Sequence, residues 1–204
     1  MNKNKKYKNI IFDMGGVLVN WNFREIVYEI FKNKKTMPIQ HWEEFYYSDI
    51  VRDLERGIIS RNQATNLLPE KYNKDHLLYF FNNVHMYLYP LQMGLKIFNK
   101  IKKEKYNTYI LSNFQKEIFE SVKSQYHFLK DFDGAVFSYQ VKSMKPEPKI
   151  YKTLLDNYAL KPKESFFIDD MKINIEGAKK FGIDGIVCKD HNYVFDKLKK
   201  LDIF

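Results

Sequence analysis

A chain of 204 residues has room for one α/β unit of ordinary size plus a smaller insert, and excludes two full independent domains. With 45% apolar and 17% aromatic residues it can bury a real core, which excludes general disorder, and its single cysteine, Cys188, excludes an internal disulfide. The net charge of +9 raises the question of a nucleic-acid partner, but the excess is lysine scattered along the chain, with arginine only at Arg24, Arg52, Arg56 and Arg61; base readout leans on arginine forks, so nucleic acid is not the expected partner and small anions are.

The Lys/Asn run from Met1 to Lys8 leads into Asn9-Ile10-Ile11-Phe12, which Asp13 ends before a signal-peptide apolar region could form. No other stretch approaches the roughly 18 uninterrupted apolar residues of a membrane helix, so the expectation is a cytoplasmic protein without membrane association. Asn9 to Phe12 reads as a buried strand, with Asp13 at its carboxyl end and Gly15-Gly16 opening a loop. Phe23, Ile26, Val27, Ile30 and Phe31 then carry helical spacing. Asp49, Val51 and Leu54 before Gly57, followed by Ser60 ahead of Arg61-Asn62-Gln63-Ala64, read as a helix, a turn and an N-capped helix. With little strand signal before about Tyr89, residues 21–90 are expected to form a helical cap, and residues 1–20 with 91–204 the core.

Beyond Pro90 helices and strands alternate. Helices are expected near Leu91 to Lys103, Gln115 to Ser124, Lys149 to Asn157 and Ile173 to Phe181, and strands at Thr108 to Leu111, Ala135 to Phe137, Phe166 to Ile168 and Gly185 to Cys188. Such alternation predicts an α/β fold with a parallel sheet covered by helices on both faces, because parallel neighbours need crossover connections. Cys188 reads as a buried strand residue rather than a reactive thiol.

Ligands of such sheets bind at the strands' carboxyl ends. There the sequence places Asp13, then Ser112-Asn113, then Asp169-Asp170, and Lys145 lies in Met144-Lys145-Pro146-Glu147-Pro148, where two prolines restrict the backbone. Each has a use in phosphoryl transfer. Asp13 can act as nucleophile and form an acyl-phosphate. Ser112, Asn113 and Lys145 can surround the phosphoryl oxygens, and Asp170, supported by Asp169 and Asp13, can hold Mg²⁺ between carboxylate and phosphate. Taken singly, the same residues fit blander roles: a strand-ending Asx turn for Asp13, a helix N-cap for Ser112-Asn113, surface charge for Lys145. Adjacent Asp169 and Asp170 at a buried sheet edge would be costly without a cation.

Four segments in order, Ile11-Phe12-Asp13-Met14-Gly15-Gly16-Val17-Leu18, Leu111-Ser112-Asn113, Lys145-Pro146-Glu147-Pro148, and Phe167-Ile168-Asp169-Asp170 with Asn174 and Gly177-Ala178, resemble the haloacid dehalogenase-like hydrolases, and within them phosphatases similar to bacterial α-D-glucose-1-phosphate phosphatase. The resemblance implies a Rossmann-like, doubly wound parallel sheet with the helical cap inserted after the first strand. It also implies Asp13 as nucleophile, Mg²⁺ on Asp13, the Gly15 carbonyl and Asp170, phosphate on Ser112 and Asn113, and Lys145 offsetting charge. Asn174 is expected to position the last of these loops.

One position departs from most phosphatases of that family: the second Asp, two residues after the nucleophile, is Gly15 here. Leaving-group protonation must then come from elsewhere, or the leaving group must be a good one, which makes sugar-1-phosphates a candidate class. His41, Trp42, Tyr46, Tyr47 and His85 are candidates for a sugar-binding surface in the cap, with core packing as the alternative for each. The expected activity is therefore a Mg²⁺-dependent phosphatase acting on a small phosphorylated metabolite, as monomer or homodimer. A haloacid dehalogenase and a catalytically silent sensor of a phosphorylated metabolite are the competing readings.

Overall fold

A computed structural model describes residues 5–204; Met1 to Asn4, the opening of the Lys/Asn run, lie outside the described residues. Five strands, β1 (Asn9–Phe12), β2 (Asn107–Ser112), β3 (Gly134–Phe137), β4 (Ser165–Asp169) and β5 (Asp184–Val187), form one parallel sheet in the order β3-β2-β1-β4-β5. β1 lies at the centre, with Phe12 opposite Ile110 on one side and Ile168 on the other. The chain therefore reverses its winding at β1, and the crevice at the carboxyl ends of β1 and β4 is where such sheets bind ligands.

The apolar runs become strands because both sheet faces are covered. Side chains alternate between two cores. Ile10, Phe12, Ile110, Phe166 and Ile168 pack with α6 (Gln92–Lys103) and α11 (His191–Lys200), whereas Ile11, Leu111 and Phe167 pack with α9 (Pro148–Asn157) and α10 (Lys172–Lys179). Short helices α7 (Lys116–Val122) and α8 (Ser138–Val141) follow β2 and β3.

Between β1 and α6 come five helices: α1 (Phe23–Phe31), α2 (Ile39–Tyr46), α3 (Asp49–Glu55), α4 (Arg61–Asn66) and α5 (Lys74–Asn83). Asn22, Ser48 and Asn73 accept first-turn N–H groups, and Ser60 forms a reciprocal box with Gln63, as its position before the helix predicted. The chain leaves and rejoins the sheet layer side by side: Asn20 N–H donates to the Tyr89 carbonyl (2.8 Å), Leu91 N–H to that of Leu18 (2.8 Å), and Val19 bridges Pro90 antiparallel. Among the described residues no helix is long and apolar enough to cross a membrane.

Three expectations change. β5 ends at Val187, so Cys188 stands just past the strand; it is buried, and desolvation pushes its thiol up to about 12, so the inert reading holds. α7 begins after Gln115, so Ser112-Asn113 does not cap it. Helix α11 was absent from the sequence expectation, although Asp190 caps it through Tyr193 N–H (2.9 Å) and Val194 and Leu198 supply its buried face.

Candidate active site

Asp13 leaves β1 with its N–H on the Ile168 carbonyl of β4 (2.9 Å), and its Oδ1 accepts the Met14 N–H (2.7 Å). Asp169 closes β4 and Asp170 follows it; Ser112 closes β2 and Asn113 follows it. Lys145 comes from the loop between α8 and α9, with 2% of its surface exposed. Its ammonium lies 2.8 Å from Asp13 Oδ2 and 2.6 Å from Asp169 Oδ2.

The surrounding polar groups hold that ammonium in place. Asn113 clamps the Lys145 main chain, accepting its N–H (2.8 Å) and donating to its carbonyl (3.1 Å). Both ends of the Asn113 amide are thus engaged in fixing the loop. Asp169 accepts not only from Lys145 but from Met171 N–H (2.8 Å) and from Asn174 Nδ2 on both oxygens (3.0 and 3.1 Å). Asn174 therefore orients Asp169 and the turn after β4.

Carboxylate oxygens of Asp13, Asp169 and Asp170 lie within 4.8 Å of one another. Burial, with the charges of Asp169 and Asp170, pushes Asp13 well above the usual carboxylate range, and the Lys145 ammonium opposes this. Asp170 is pushed up to about 6 by burial and by Asp169. One ammonium against three carboxyl groups leaves an anionic excess that a hard divalent cation fits. The loop is shaped for it: Gly16, at φ +70°, passes so close to Asp170 that an added Cβ would stand 2.6 Å from Asp170 Oδ2. At Gly15 an added Cβ would meet Trp21 Cβ and Cγ at 3.2 and 3.3 Å, so the indole fills the space a side chain there would need.

A cavity of about 420 Å³ opens above this cluster. Asp13, Gly15, Asn113, Lys145 and Asp170 line its floor, while Ser112 and Asp169 are buried and do not line it. Of the aromatic candidates, Tyr46 and Tyr47 line it; Trp42 is fully buried, its Nε1–H on Thr36 Oγ1 (2.9 Å), His41 packs on Tyr72, and His85 does not line it. Among the lining residues with no earlier role are Trp21, Arg52, Glu55, Arg56, Gln115 and Glu147. Glu147 lies within the Lys145-Pro146-Glu147-Pro148 segment and Gln115 two residues past Asn113, whereas Trp21, Arg52, Glu55 and Arg56 carried no such signal. Gln115 is buried and its Oε1 has no hydrogen-bond partner among the described residues. Trp21 Nε1–H donates to Tyr46 Oη (2.8 Å), joining the loop after β1 to α2.

A carboxylate, a fixed ammonium beside it and an acidic cluster able to hold a cation suit the movement of a phosphoryl group, whose diffuse negative charge must be met by preset positive groups.

Residues 10–188 match the family described as haloacid dehalogenase-like hydrolase. The D-ribitol-5-phosphate phosphatase of Bacteroides thetaiotaomicron is 28% identical over 191 residues, which cover 87% of this chain and 89% of that protein. A phosphorylated carbohydrates phosphatase of Thermotoga maritima is 27% identical over 201 residues, covering 90% of this chain and 85% of its own length. A HAD family enzyme of Bacteroides thetaiotaomicron, solved with magnesium and inorganic phosphate, superposes with a TM-score of 0.71 at 28% identity, over 93% of this chain and 99% of that one.

Proposed function

This chain belongs to the haloacid dehalogenase-like hydrolase family, and from that premise we propose that it is a Mg²⁺-dependent phosphatase of small phosphorylated sugars or polyols, working through an aspartyl-phosphate on Asp13. The observation that carries the reading is the Lys145 ammonium wedged between Asp13 and Asp169, with Asp170 completing an acidic cluster at the floor of a cavity. The substrate class is supported by relatives named for ribitol-5-phosphate and phosphorylated carbohydrates. Sugar-1-phosphates are one member of that class.

A carboxylate oxygen of Asp13 attacks phosphorus. Lys145 favours the ionised form of that carboxylate and faces the phosphoryl oxygens, whereas Ser112 is buried at the end of β2 and lies outside the cavity lining. Asn113 and Asp169 act as positioning residues for Lys145, through its main chain and its ammonium respectively. Asp13, Asp170 and the Gly15 carbonyl would hold the metal. Bound there, Mg²⁺ neutralises the charge between carboxylate and phosphate. Helices α1–α5 act as the cap, closing over the bound substrate and excluding water other than the attacking one.

The test is phosphate release from a panel of sugar phosphates, polyol phosphates, nucleotides and 4-nitrophenyl phosphate, with Mg²⁺ or with chelator, for wild type and Asp13→Asn. Metal-dependent turnover that vanishes in Asp13→Asn supports the reading. A folded wild type inactive on every member overturns it, and halide release in chelator would favour a dehalogenase instead.

A further inference from the structure

We propose that Glu55, the last residue of α3, is the general acid and base of this reaction, protonating the leaving oxygen and then activating water. The inference rests on the phosphatase reading and concerns a step that reading leaves without a residue: an alkoxide leaving from a sugar or polyol phosphate needs a proton. The loop after β1 cannot supply it, because Gly15 has no side chain and Trp21 occupies the space beside it.

Four carboxyl groups line the cavity: Asp13, Glu55, Glu147 and Asp170. Asp13 is the nucleophile and Asp170 belongs to the metal cluster. Glu147 is held below the usual carboxylate range, against the effect of burial, by Arg56, by Ser143 Oγ (2.9 Å) and by Met144 N–H (3.1 Å). It is therefore a poor proton donor. Glu55 remains, and among the described residues no group hydrogen-bonds to its carboxylate. The charges acting on it are, in order, the ammonium of Lys145, then Arg56 and Arg52 at its own end of α3; Tyr46 of α2 lines the same cavity. Lys145 is itself 2.8 Å from Asp13, and Glu55 lines the same cavity as both.

Its placement is fixed. Ser138 Oγ donates to the Glu55 carbonyl (2.5 Å), Lys142 donates to the Gly57 carbonyl, and Arg56 pairs with Glu147, so the end of α3 is tied to α8 and the loop after it at three points. A carboxyl at a helix C-terminus is opposed by the helix dipole, and this one is opposed by burial as well, which pushes it up to about 7. Unpaired carboxyl groups held so in a cleft mark acid–base catalysts.

In the first step the Asp13 carboxylate forms the O–P bond, the bond from phosphorus to the substrate oxygen breaks, and the Glu55 proton passes to that oxygen, releasing the alcohol and leaving Glu55 ionised. In the second, Glu55 takes a proton from water as the water oxygen bonds phosphorus and the Asp13–phosphorus bond breaks. Inorganic phosphate leaves and both carboxyl groups return to their starting states.

The experiment compares wild type, Glu55→Gln and Glu55→Asp on an alkyl phosphate, such as glycerol phosphate, and on 4-nitrophenyl phosphate, whose leaving group needs no proton. Glu55→Gln should lower kcat/KM on the alkyl ester by about 100-fold or more, the usual worth of a general acid, and on the aryl ester by at least tenfold less. The aryl ester should show a burst of nitrophenolate before slow turnover, and Glu55→Asp should restore part of the loss. The wild-type alkyl profile should fall above a pH near 7, with that limb missing from Glu55→Gln. Equal losses on both esters, in variants with wild-type melting temperature, or no loss on either, would overturn the role of Glu55. An inactive wild type would instead overturn the phosphatase reading.

Discussion

Arg56 at the end of α3 grips Glu147 in the loop before α9, with Nε 2.8 Å and Nη2 2.5 Å from the same Oε1. These residues are 91 positions apart in sequence, and the contact ties the helical insert to the loop that presents Lys145. Both side chains are partly solvated, so the pair adds at most about 1 kcal/mol to stability. Its effect should be felt in opening. Arg56→Ala should raise KM and speed amide exchange in α3 while leaving exchange in β1 and β4 near wild type. Unchanged exchange in α3 would show that the contact does not govern closure.

Lys145 compensates two buried aspartates, so Lys145→Ala should cost about 3–5 kcal/mol near neutral pH, since an uncompensated buried charge is left behind. The sign with pH follows from Asp13. Its folded value lies above its unfolded one and rises further without the ammonium, so the destabilisation is full at high pH and recedes as acid protonates the carboxyl. Melting curves from pH 8 to pH 4 should show the mutant approaching wild type toward acid. A gap that stays constant or widens toward acid would contradict the ion-pair account.

Gly16→Ala tests the metal cluster. The positive φ costs about 1–2 kcal/mol for a residue with a Cβ, and the added carbon must displace Asp170, whose Oδ2 would stand 2.6 Å away. Calorimetric titration should then find Mg²⁺ affinity lowered by about tenfold or more. A folded variant that binds Mg²⁺ as wild type does would remove Asp170 from the ligand set.

Gln115 keeps a buried carbonyl oxygen without a partner on the cavity wall. Such an acceptor costs about 1–3 kcal/mol until a donor reaches it, and a substrate hydroxyl is the donor the phosphatase reading supplies. Gln115→Met should keep or raise the melting temperature while lowering kcat/KM on polyol phosphates about tenfold further than on 4-nitrophenyl phosphate. Parallel losses on both substrates would mean the amide does not read the hydroxyl.

The sheet was legible because Asn9 to Phe12 and Phe166 to Ile168 are largely apolar runs followed by carboxylates, and a strand buried on both faces needs little else to declare itself. Asp13, Lys145, Asp169 and Asp170 followed from strand ends and motif order. Glu55 and Gln115 did not, since their meaning depends on how α3 docks against the loop after α8. The pattern of Val51 and Leu54 marks the buried face of α3 but not what its last turn confronts. Trp42 illustrates the converse: its spacing from Phe45 fits a binding surface or a core equally, and packing against Phe31 and Phe80 decides for the core.

The hydrogen bond from Asn20 to the Tyr89 carbonyl means that the insert begins and ends at one point in space. It is in effect a cassette: a short linker from Asn20 to Tyr89 would close the chain with every strand and every residue of the acidic cluster still in place. The acidic cluster and the helical insert thereby stand on separable stretches of chain, although Gln115 on the cavity wall belongs with the sheet. A longer, shorter or foreign cassette could retarget the enzyme without re-evolving its chemistry, except that Glu55 travels with the cassette, so any replacement must bring its own proton donor.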